Sequence, residues 1–337
     1  MRFLTKLISI SITYTMLLAL YACSGGDSSN TLSGRGDTID GDASDIVITD
    51  DSIISKPGTI TISITDAVVD SAQEVWVQFT GLTIQPSTGD AIDFIFDSEK
   101  NINLLGLQGI LSTDLISNEV IPTGSYDWIR LHVNAADDDI MDSYIRLDDG
   151  SVHEFSIPSG SQTGLKINTG FEFIETEELK LMIDFDLRKS VVVSAGKYKL
   201  RPTLRMVNLD DTNSISSSIN SSLLTAATCS DTDPSTGNAV YLFEGLNITP
   251  DDMDNKNPEP VSSARVELNS ANGDYEYIIG FVTAGDYTLA FTCQADVDDP
   301  SSNDSIEFSL TENVTVVAPE PEEETQDEEE PLPDPVR

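Results

Sequence analysis

The feature that most constrains the fold is a two-residue alternation of apolar and polar side chains that begins at Gly58. Isoleucines alternate with threonine and serine over residues 59–65, and similar alternation returns at 75–80 and 129–133. Successive side chains of a β-strand point to opposite faces, so this pattern predicts strands with one buried face. Short strands of this kind, separated by turn residues, predict an all-β sandwich.

Turn residues separate these predicted strands. Asp148-Asp149-Gly150 predicts a tight hairpin, because Asp-Gly tolerates the positive φ that such turns need. Only residues 102–115 contain a helical patch, and it is short. We predict strands at 60–65, 75–79, 92–96, 129–133, 145–147, 153–157 and 179–193.

The last hairpin of this region has a register that can be read from the sequence. If Ala195-Gly196 form a two-residue loop, Val191 faces Leu200, and apolar residues meet across the pair. Continued without interruption, the same register places Asp186 opposite Arg205. The acidic residues of this hairpin are therefore expected to form cross-strand ion pairs.

A second group of strands follows, and composition shifts mark the boundaries between segments. We predict these later strands at 240–243, 264–268, 275–282, 287–293 and 306–310. The predicted organisation is a signal peptide at 1–22, a flexible tether at 23–57, a first β-sandwich domain at 58–207, a Ser-rich linker with room for an edge strand at 208–228, a second β-sandwich module at 229–317, and a disordered acidic Pro/Glu tail at 318–337.

The N-terminus predicts export. Arg2 and Lys6 precede the apolar run 7–20, which is too short for a stop-transfer helix. The following Leu20-Tyr21-Ala22-Cys23 resembles a bacterial lipobox, which implies cleavage and lipidation at Cys23. The alternative is an ordinary signal peptide with an incidental cysteine. Because Ser24 rather than Asp follows, we expect an outer-membrane lipoprotein that faces the periplasm or the cell surface.

Charge excludes one class of partner. The chain has 58 acidic and 18 basic residues, a formal net charge of −40, which repels nucleic acid. A generally acidic proteome would explain this charge without any ligand.

The cysteines predict one disulfide. Of the three cysteines, Cys229 and Cys293 remain once Cys23 carries lipid, and an oxidising compartment predicts a disulfide between them.

A series of short segments in the first domain, taken in order, forms a recognisable pattern: 64–67 with 69–70, 104–109, 121–126 with 129–131, 157–160 with 163–166, 183–186 with 189–192, and 198–202. With these segments the domain resembles the DUF4382 family, a domain of unknown function found in bacterial and archaeal lipoproteins. Val68 stands where the family usually has proline. The resemblance implies an export-associated β-sandwich, prealbumin-like or Ig-like, with no assigned activity. The second module is similar to prealbumin-like or Ig-like accessory domains.

The sequence offers little for catalysis. It contains no nucleophile elbow, phosphate loop or zinc-binding motif, and His132 and His153 are expected to be surface residues. Asp184 and Asp186 share a strand face at about the separation of an inverting glycosidase pair. Neighbouring Arg188 and Arg205 are expected to lower the pKa of both carboxyls, so we predict a non-enzyme.

Acidic loops are the main candidates for a cation. Asp137-Asp138-Asp139 with Asp142, Asp251-Asp252 with Asp254, and Asp296 with Asp298-Asp299 could supply oxygen ligands to calcium, but none has EF-hand spacing. No cofactor or metal ligand is therefore predicted, and a structural calcium ion stays an alternative.

Two tryptophans are the candidate ligand contacts. Trp76 and Trp128 each fall on the polar phase of a predicted strand, and the alternative is a core position against the second sheet. We predict a lipid-anchored, non-catalytic binding or surface-interaction protein with an unknown protein or glycan ligand and the membrane as its other partner. A structural envelope spacer is the first alternative, and a carboxylate-dependent hydrolase is the second.

Overall fold

The computed structural model describes residues 57–67, 72–157, 164–174, 178–201 and 203–320. The predicted signal peptide, the lipidation site Cys23, the tether up to residue 56 and the tail from residue 321 lie outside the described residues. Within the described ranges, no helix combines the length and the hydropathy needed to cross a bilayer.

Among the described residues, the first domain consists of strands, one α-helical turn, α1, and a short 3₁₀ helix at Leu104–Gly106. In chain order its elements are β1 (Pro57–Ala67), β2 (Ala72–Pro86), β3 (Ile92–Asn103), β4 (Thr113–Pro122), β5 (Gly124–Asn134), β6 (Tyr144–Leu147), β7 (Val152–Ser156), β8 (Leu165–Ile167), β9 (Phe171–Phe173), β10 (Glu178–Asp186), α1 (Leu187–Ser190), β11 (Val191–Ser194), β12 (Lys197–Leu200) and β13 (Leu204–Asn208).

Two sheets of this domain enclose one core. A four-stranded sheet has the order β13-β10-β1-β4, and a nine-stranded sheet follows the path β11-β12-β7-β6-β2-β5-β8, with β3 on β2 and β9 on β5. The alternating isoleucines of β1, Ile60, Ile62 and Ile64, have no exposed surface and pack with Phe79 and Phe185. Burying each such side chain stabilises the fold by about 1.5–3 kcal/mol. The predicted all-β sandwich is confirmed.

The second module also pairs two sheets. Its elements are β14 (Thr212–Ile219), α2 (Ser221–Leu224), β15 (Ala239–Glu244), β16 (Ser262–Arg265), β17 (Glu267–Leu268), β18 (Tyr275–Thr283), β19 (Gly285–Thr292) and β20 (Phe308–Val316). The sheets have the orders β14-β18-β17 and β16-β15-β19-β20. The segment predicted as a linker therefore contains β14, which pairs with β18. The Cys229–Cys293 disulfide is confirmed, with a Cα–Cα distance of 4.9 Å.

The prediction of one strand over 179–193 was wrong. Asp186 ends β10 and caps α1, because its carboxylate accepts a hydrogen bond from the Lys189 backbone N–H at 3.1 Å. The turn lies where the chain passes from the four-stranded sheet to the nine-stranded sheet. It separates one continuous predicted strand into two strands that belong to different sheets.

The turn also shifts the register of the pairing beyond it, between β10 and β13. The predicted pairing of Val191 with Leu200 is confirmed, but beyond the turn Asp184, not Asp186, faces Arg205. The shift is two residues, and an even shift keeps every side chain on its predicted face. The ion pair is therefore Asp184–Arg205, with 2.8 Å between Oδ2 and Nη2.

The strand predicted at 264–268 is two strands, because β16 and β17 belong to different sheets and the buried Val266 lies between them.

Strands β5 and β19 both begin with a Gly-x-Tyr sequence. In both, the tyrosine hydroxyl donates to a carbonyl four residues upstream: Tyr126 to Pro122 and Tyr287 to Thr283.

Candidate functional site

Both tryptophans lie on the side of the nine-stranded sheet that faces away from the core. We call this side the outer face. The prediction that each tryptophan lies on the polar phase of its strand is confirmed, and neither belongs to the buried core. The outer face is formed by Trp76, Gln78, Gly81, Thr83 and Gln85 of β2, Asp93, Ile95, Asn101 and Asn103 of β3, Trp128, Arg130, His132 and Asn134 of β5, Tyr144 and Arg146 of β6, and Lys166 of β8.

Two cations hold the half-buried Trp128 at one end of the outer face. The Arg130 guanidinium carbon lies 4.9 Å from the indole centroid, and Lys166 Nζ lies 4.5 Å from it. Arg130 and Lys166 are direct cross-strand partners. In the described part of the chain neither pairs with a carboxylate, and the buried Arg130 Nε has no hydrogen-bond acceptor. This end of the face therefore carries two cations without an ion-pair partner among the described residues.

Trp76 lies at the other end of the face and stacks on Tyr144, with 6.5 Å between ring centroids. The neighbouring Gln78 is fixed from both sides: its Nε2 donates to Asn101 Oδ1 at 3.0 Å, and Asn134 Nδ2 donates to its Oε1 at 2.5 Å. These bonds cross three strands. They hold the amide groups in fixed orientations, which lowers the entropy cost of binding a polar ligand.

A second cross-strand group lies between the two tryptophans. The Thr83 hydroxyl donates its one proton to Asp93 Oδ1 at 2.6 Å, and His132 Nε2 lies 2.6 Å from the Thr83 hydroxyl oxygen. The histidine therefore acts as the donor in the second bond. The distance between the two tryptophans along the face can be estimated from β2. Gln85 of β2 is the cross-strand neighbour of Trp128, and it lies nine positions after Trp76, which corresponds to about 30 Å. His132 is part of this polar group, while His153 stacks on Tyr198 elsewhere in the sheet.

A separate cleft lies between the first domain and the second module. It is a cavity of about 250 Å³ lined on one side by Asp66, Gln108 and Asp184 and on the other by residues of β16 and β18. The two backbones touch beside it, since a Cβ on Gly280 would lie 2.1 Å from the Gly109 carbonyl oxygen. The cleft therefore brings two buried carboxyls to the junction between the modules.

Asp66 is the most perturbed carboxyl of the cleft. It is 5% exposed, and neither carboxylate oxygen accepts a hydrogen bond of ordinary geometry. Burial raises its pKa well above 3.8, the nearby Asp184 and Asp186 raise it further, and the Leu187 N–H only partly opposes them. Sequence reasoning missed Asp66 as a site residue, because the burial and the two acidic neighbours arise from the parallel pairing of β1 with β10.

The pair proposed for a hydrolase is not arranged as expected. Burial raises the pKa of Asp184 more than Arg205 lowers it, which contradicts the lowering predicted from the sequence. Asp186 caps α1 and also lies 3.4 Å from Lys189 Nζ. The second predicted neighbour, Arg188, reaches the second module and donates to the Tyr241 hydroxyl at 2.5 Å. Asp184 and Asp186 thus have structural partners of their own.

The acidic loops have different surroundings. Asp137 pairs with Lys197, and the backbone N–H groups of Asp138 and Asp139 donate to Glu154. The other two clusters converge: Asp252 and Asp298 meet Asp304, with one carboxylate oxygen of each within 4.8 Å of the others. No other group of this kind is found among the described residues. Asp304 was missed because its proximity to Asp252 depends on the convergence of two loops that are about fifty residues apart in the sequence.

Residues 57–202 match the family model described as a domain of unknown function, DUF4382. The resemblance of the first domain is thereby confirmed over that segment. No curated protein matches the chain.

Two solved structures share a weak likeness with the chain. The first is the TIE protein of Bacillus anthracis, at 10% identity and a TM-score of 0.17; the match covers 78% of this chain and 32% of that one. The second is a candidate adhesin from Bacteroides ovatus, at 11% identity and a TM-score of 0.18, covering 79% and 87%. The chain thus spans about a third of the TIE protein. Likenesses at these TM-scores carry no argument about fold or function.

Proposed function

We propose that this chain is a lipid-anchored protein of the bacterial outer membrane that binds, without catalysis, a glycan that carries acidic groups. The glycan lies along the outer face of the nine-stranded sheet. The observation that carries the proposal is the Trp128 end of that face, where an indole and two cations without carboxylate partners meet.

The charge at this end favours an anionic ligand. Like charges directly opposite each other on neighbouring strands are destabilising, and Arg130 and Lys166 stand in this relation. The net charge of −40 repels polyanions at long range, but this repulsion is screened beyond about 8 Å at physiological salt, so the two cations govern which ligand group binds beside Trp128. A ligand carboxylate or sulfate beside Trp128 would relieve the repulsion and give charge-assisted hydrogen bonds.

The rest of the face favours a polymer of hydroxyl groups over a protein. Between the tryptophans the side chains include amides, the Thr83 hydroxyl, the His132 imidazole and the Asp93 carboxylate, and Ile95 is the large exposed aliphatic side chain among them. Protein interfaces usually have a more apolar centre. Fixed amides on a face about 30 Å long suit an extended chain of sugars, with aromatic rings at its ends.

The anchor rests on the sequence of the N-terminus. The charged start, the short apolar run and Leu20-Tyr21-Ala22-Cys23 support export and lipidation at Cys23. The tether that follows would let the two modules stand away from the membrane. Metabolic labelling with a clickable fatty acid should mark the wild type and leave Cys23→Ser unlabelled. Equal labelling of both would reject the anchor.

The binding proposal is tested by titrating the mature protein with polygalacturonate and, in parallel, with neutral dextran. We expect polygalacturonate to bind in a salt-dependent way, since surface charge pairs are screened by salt. Trp128→Ala should weaken binding about thirtyfold, the loss typical of an aromatic anchor worth about 2 kcal/mol. Lys166→Ala should weaken binding less, because Lys166 is exposed.

Lys180→Ala is the matched control. Lys180 is an exposed lysine on β10, in the other sheet, so this variant changes the net charge as Lys166→Ala does. The face is rejected as the site if the two lysine variants weaken binding equally. Failure of the wild type to bind any acidic or neutral polysaccharide would favour the spacer alternative.

A further inference from the structure

Two loops of the second module bring three aspartates together. Asp252 lies in the loop between β15 and β16, and Asp298 and Asp304 lie in the loop between β19 and β20. One carboxylate oxygen from each lies within 4.8 Å of the other two. Asp252 is 1% exposed and Asp298 is 6% exposed, so the group is largely shielded from water.

The Asp252 carboxylate is only half satisfied. Its Oδ2 accepts a hydrogen bond from the Asp304 backbone N–H, whereas its buried Oδ1 has no hydrogen-bond partner. A buried charged oxygen without a partner destabilises the fold more than an unsatisfied neutral polar group does. The missing partner is the observation that points to a ligand, since acidic residues alone are common on this chain.

No cation among the described residues forms an ion pair with Asp252, Asp298 or Asp304. The Tyr241 hydroxyl donates to Asp298 Oδ2 at 2.6 Å, and the Met253 N–H donates to both Asp298 oxygens at 3.3 Å. The nearest cations act indirectly, because Arg188 donates to the Tyr241 hydroxyl and Lys256 pairs with Asp254. The three carboxylates therefore share a largely buried site without a direct ion pair.

We propose that Asp252, Asp298 and Asp304 bind a calcium ion. Calcium takes oxygen ligands at about 2.3–2.6 Å, so its ligand oxygens lie within about 5 Å of one another. The three aspartates meet that condition without any movement of the loops. Magnesium prefers a smaller octahedral shell that keeps several waters, which suits a largely buried carboxylate group less well.

The calcium site connects to the junction between the modules. Asp298 accepts from Tyr241, which in turn accepts from Arg188 of α1 in the first domain. Lys189 of the same turn pairs with Glu259 in the loop that carries Asp252. A cation that fixes these two loops would also fix the surface on which α1 packs.

The test is thermal unfolding and isothermal titration of the mature protein with calcium chloride, after treatment with EDTA. We expect saturable calcium binding, and a rise in Tm of about 5–10 °C at free calcium a hundredfold above Kd. Magnesium should give a smaller rise. The absence of both calcium binding and a Tm shift in the wild type would overturn the proposal.

Two variants identify the residues. Asp252→Asn keeps the shape of the side chain and removes its charge, so it should lose the calcium response. In EDTA it should unfold at the same Tm as the wild type or higher, because one repelling charge is gone. Asp139→Asn, at an exposed acidic position of the first domain, is the control with the same charge change and should keep the full response. An unchanged calcium response in Asp252→Asn would also overturn the proposal.

Discussion

Replacing Asp66 with asparagine should stabilise the folded protein at neutral pH. Asp66 is buried near two other acidic residues, and neither of its carboxylate oxygens accepts a hydrogen bond of ordinary geometry. Asparagine has nearly the same shape, removes the charge, and offers an amide N–H to the neighbouring carboxylates. Removing an unsatisfied buried group is worth about 1–3 kcal/mol, and we expect a gain in unfolding free energy of that size.

The gain should depend on pH in a defined direction. Because folding raises the pKa of Asp66 above 3.8, the folded state binds its proton more tightly than the unfolded chain does. The stability contributed by this group is fully present below the unfolded pKa and is lost as pH rises through the folded pKa. The advantage of Asp66→Asn should therefore be largest at neutral pH and should shrink towards acidic pH.

Urea unfolding at about pH 7.5 and about pH 5 measures both effects by linear extrapolation. Asp97→Asn, at an exposed position of β3, removes the same charge and controls for the general relief of negative charge. Asp66→Asn should be more stable than this control at the higher pH. If it is less stable than the wild type at both pH values, the Asp66 carboxylate makes favourable interactions and our reasoning about its burial is wrong.

Three further substitutions test other contacts. Replacing both disulfide cysteines with serine opens a loop closed over 64 positions and should cost about 4 kcal/mol on the loop-entropy model, measured by urea unfolding. Tyr241→Phe leaves the Arg188 donor and Asp298 without the hydroxyl between them, so we expect a loss of about 1–3 kcal/mol; a loss below that of an exposed Tyr→Phe change would contradict the contact. Arg205→Ala leaves the buried Asp184 unpaired and should cost about 3 kcal/mol at neutral pH, and less at acidic pH where Asp184 takes up a proton; a pH-independent loss would show that the ion pair is not the cause.

Local patterns were sufficient for much of the fold. The alternation in 59–65 predicted β1 and its buried face, because side-chain direction in a strand depends only on position. The turn at Ala195-Gly196 fixed the β11–β12 register, since the residues involved are neighbours in sequence. Cysteine number and the expected compartment were enough to predict the disulfide.

Features that depend on tertiary contacts could not be predicted in the same way. Asp186 followed by Leu-Arg-Lys-Ser is compatible with a continued strand, and it became a helix cap because the chain changes sheets there. Asp66 became buried beside Asp184 through a parallel pairing between strands more than a hundred residues apart. Periodicity within a segment contains no information about such pairings.

In the candidate sites too, some features could be predicted from local sequence and others depend on tertiary contacts. The polar phase of Trp76 and Trp128 could be read from each strand alone, whereas the cations around Trp128 come partly from β8, a separate strand. The acidic loops were identified from composition, but which of them converge depended on the order of β15, β16, β19 and β20 in their sheet.

The most direct test of the binding proposal uses intrinsic fluorescence. The chain contains 2 tryptophans, and both lie on the outer face, so tryptophan emission reports on that face alone. Titration of the mature protein with polygalacturonate should produce a saturable change in emission that high salt weakens and that neutral dextran does not reproduce. An emission spectrum that stays constant with polygalacturonate, or that changes equally with dextran, would contradict an acidic-glycan site at Trp128.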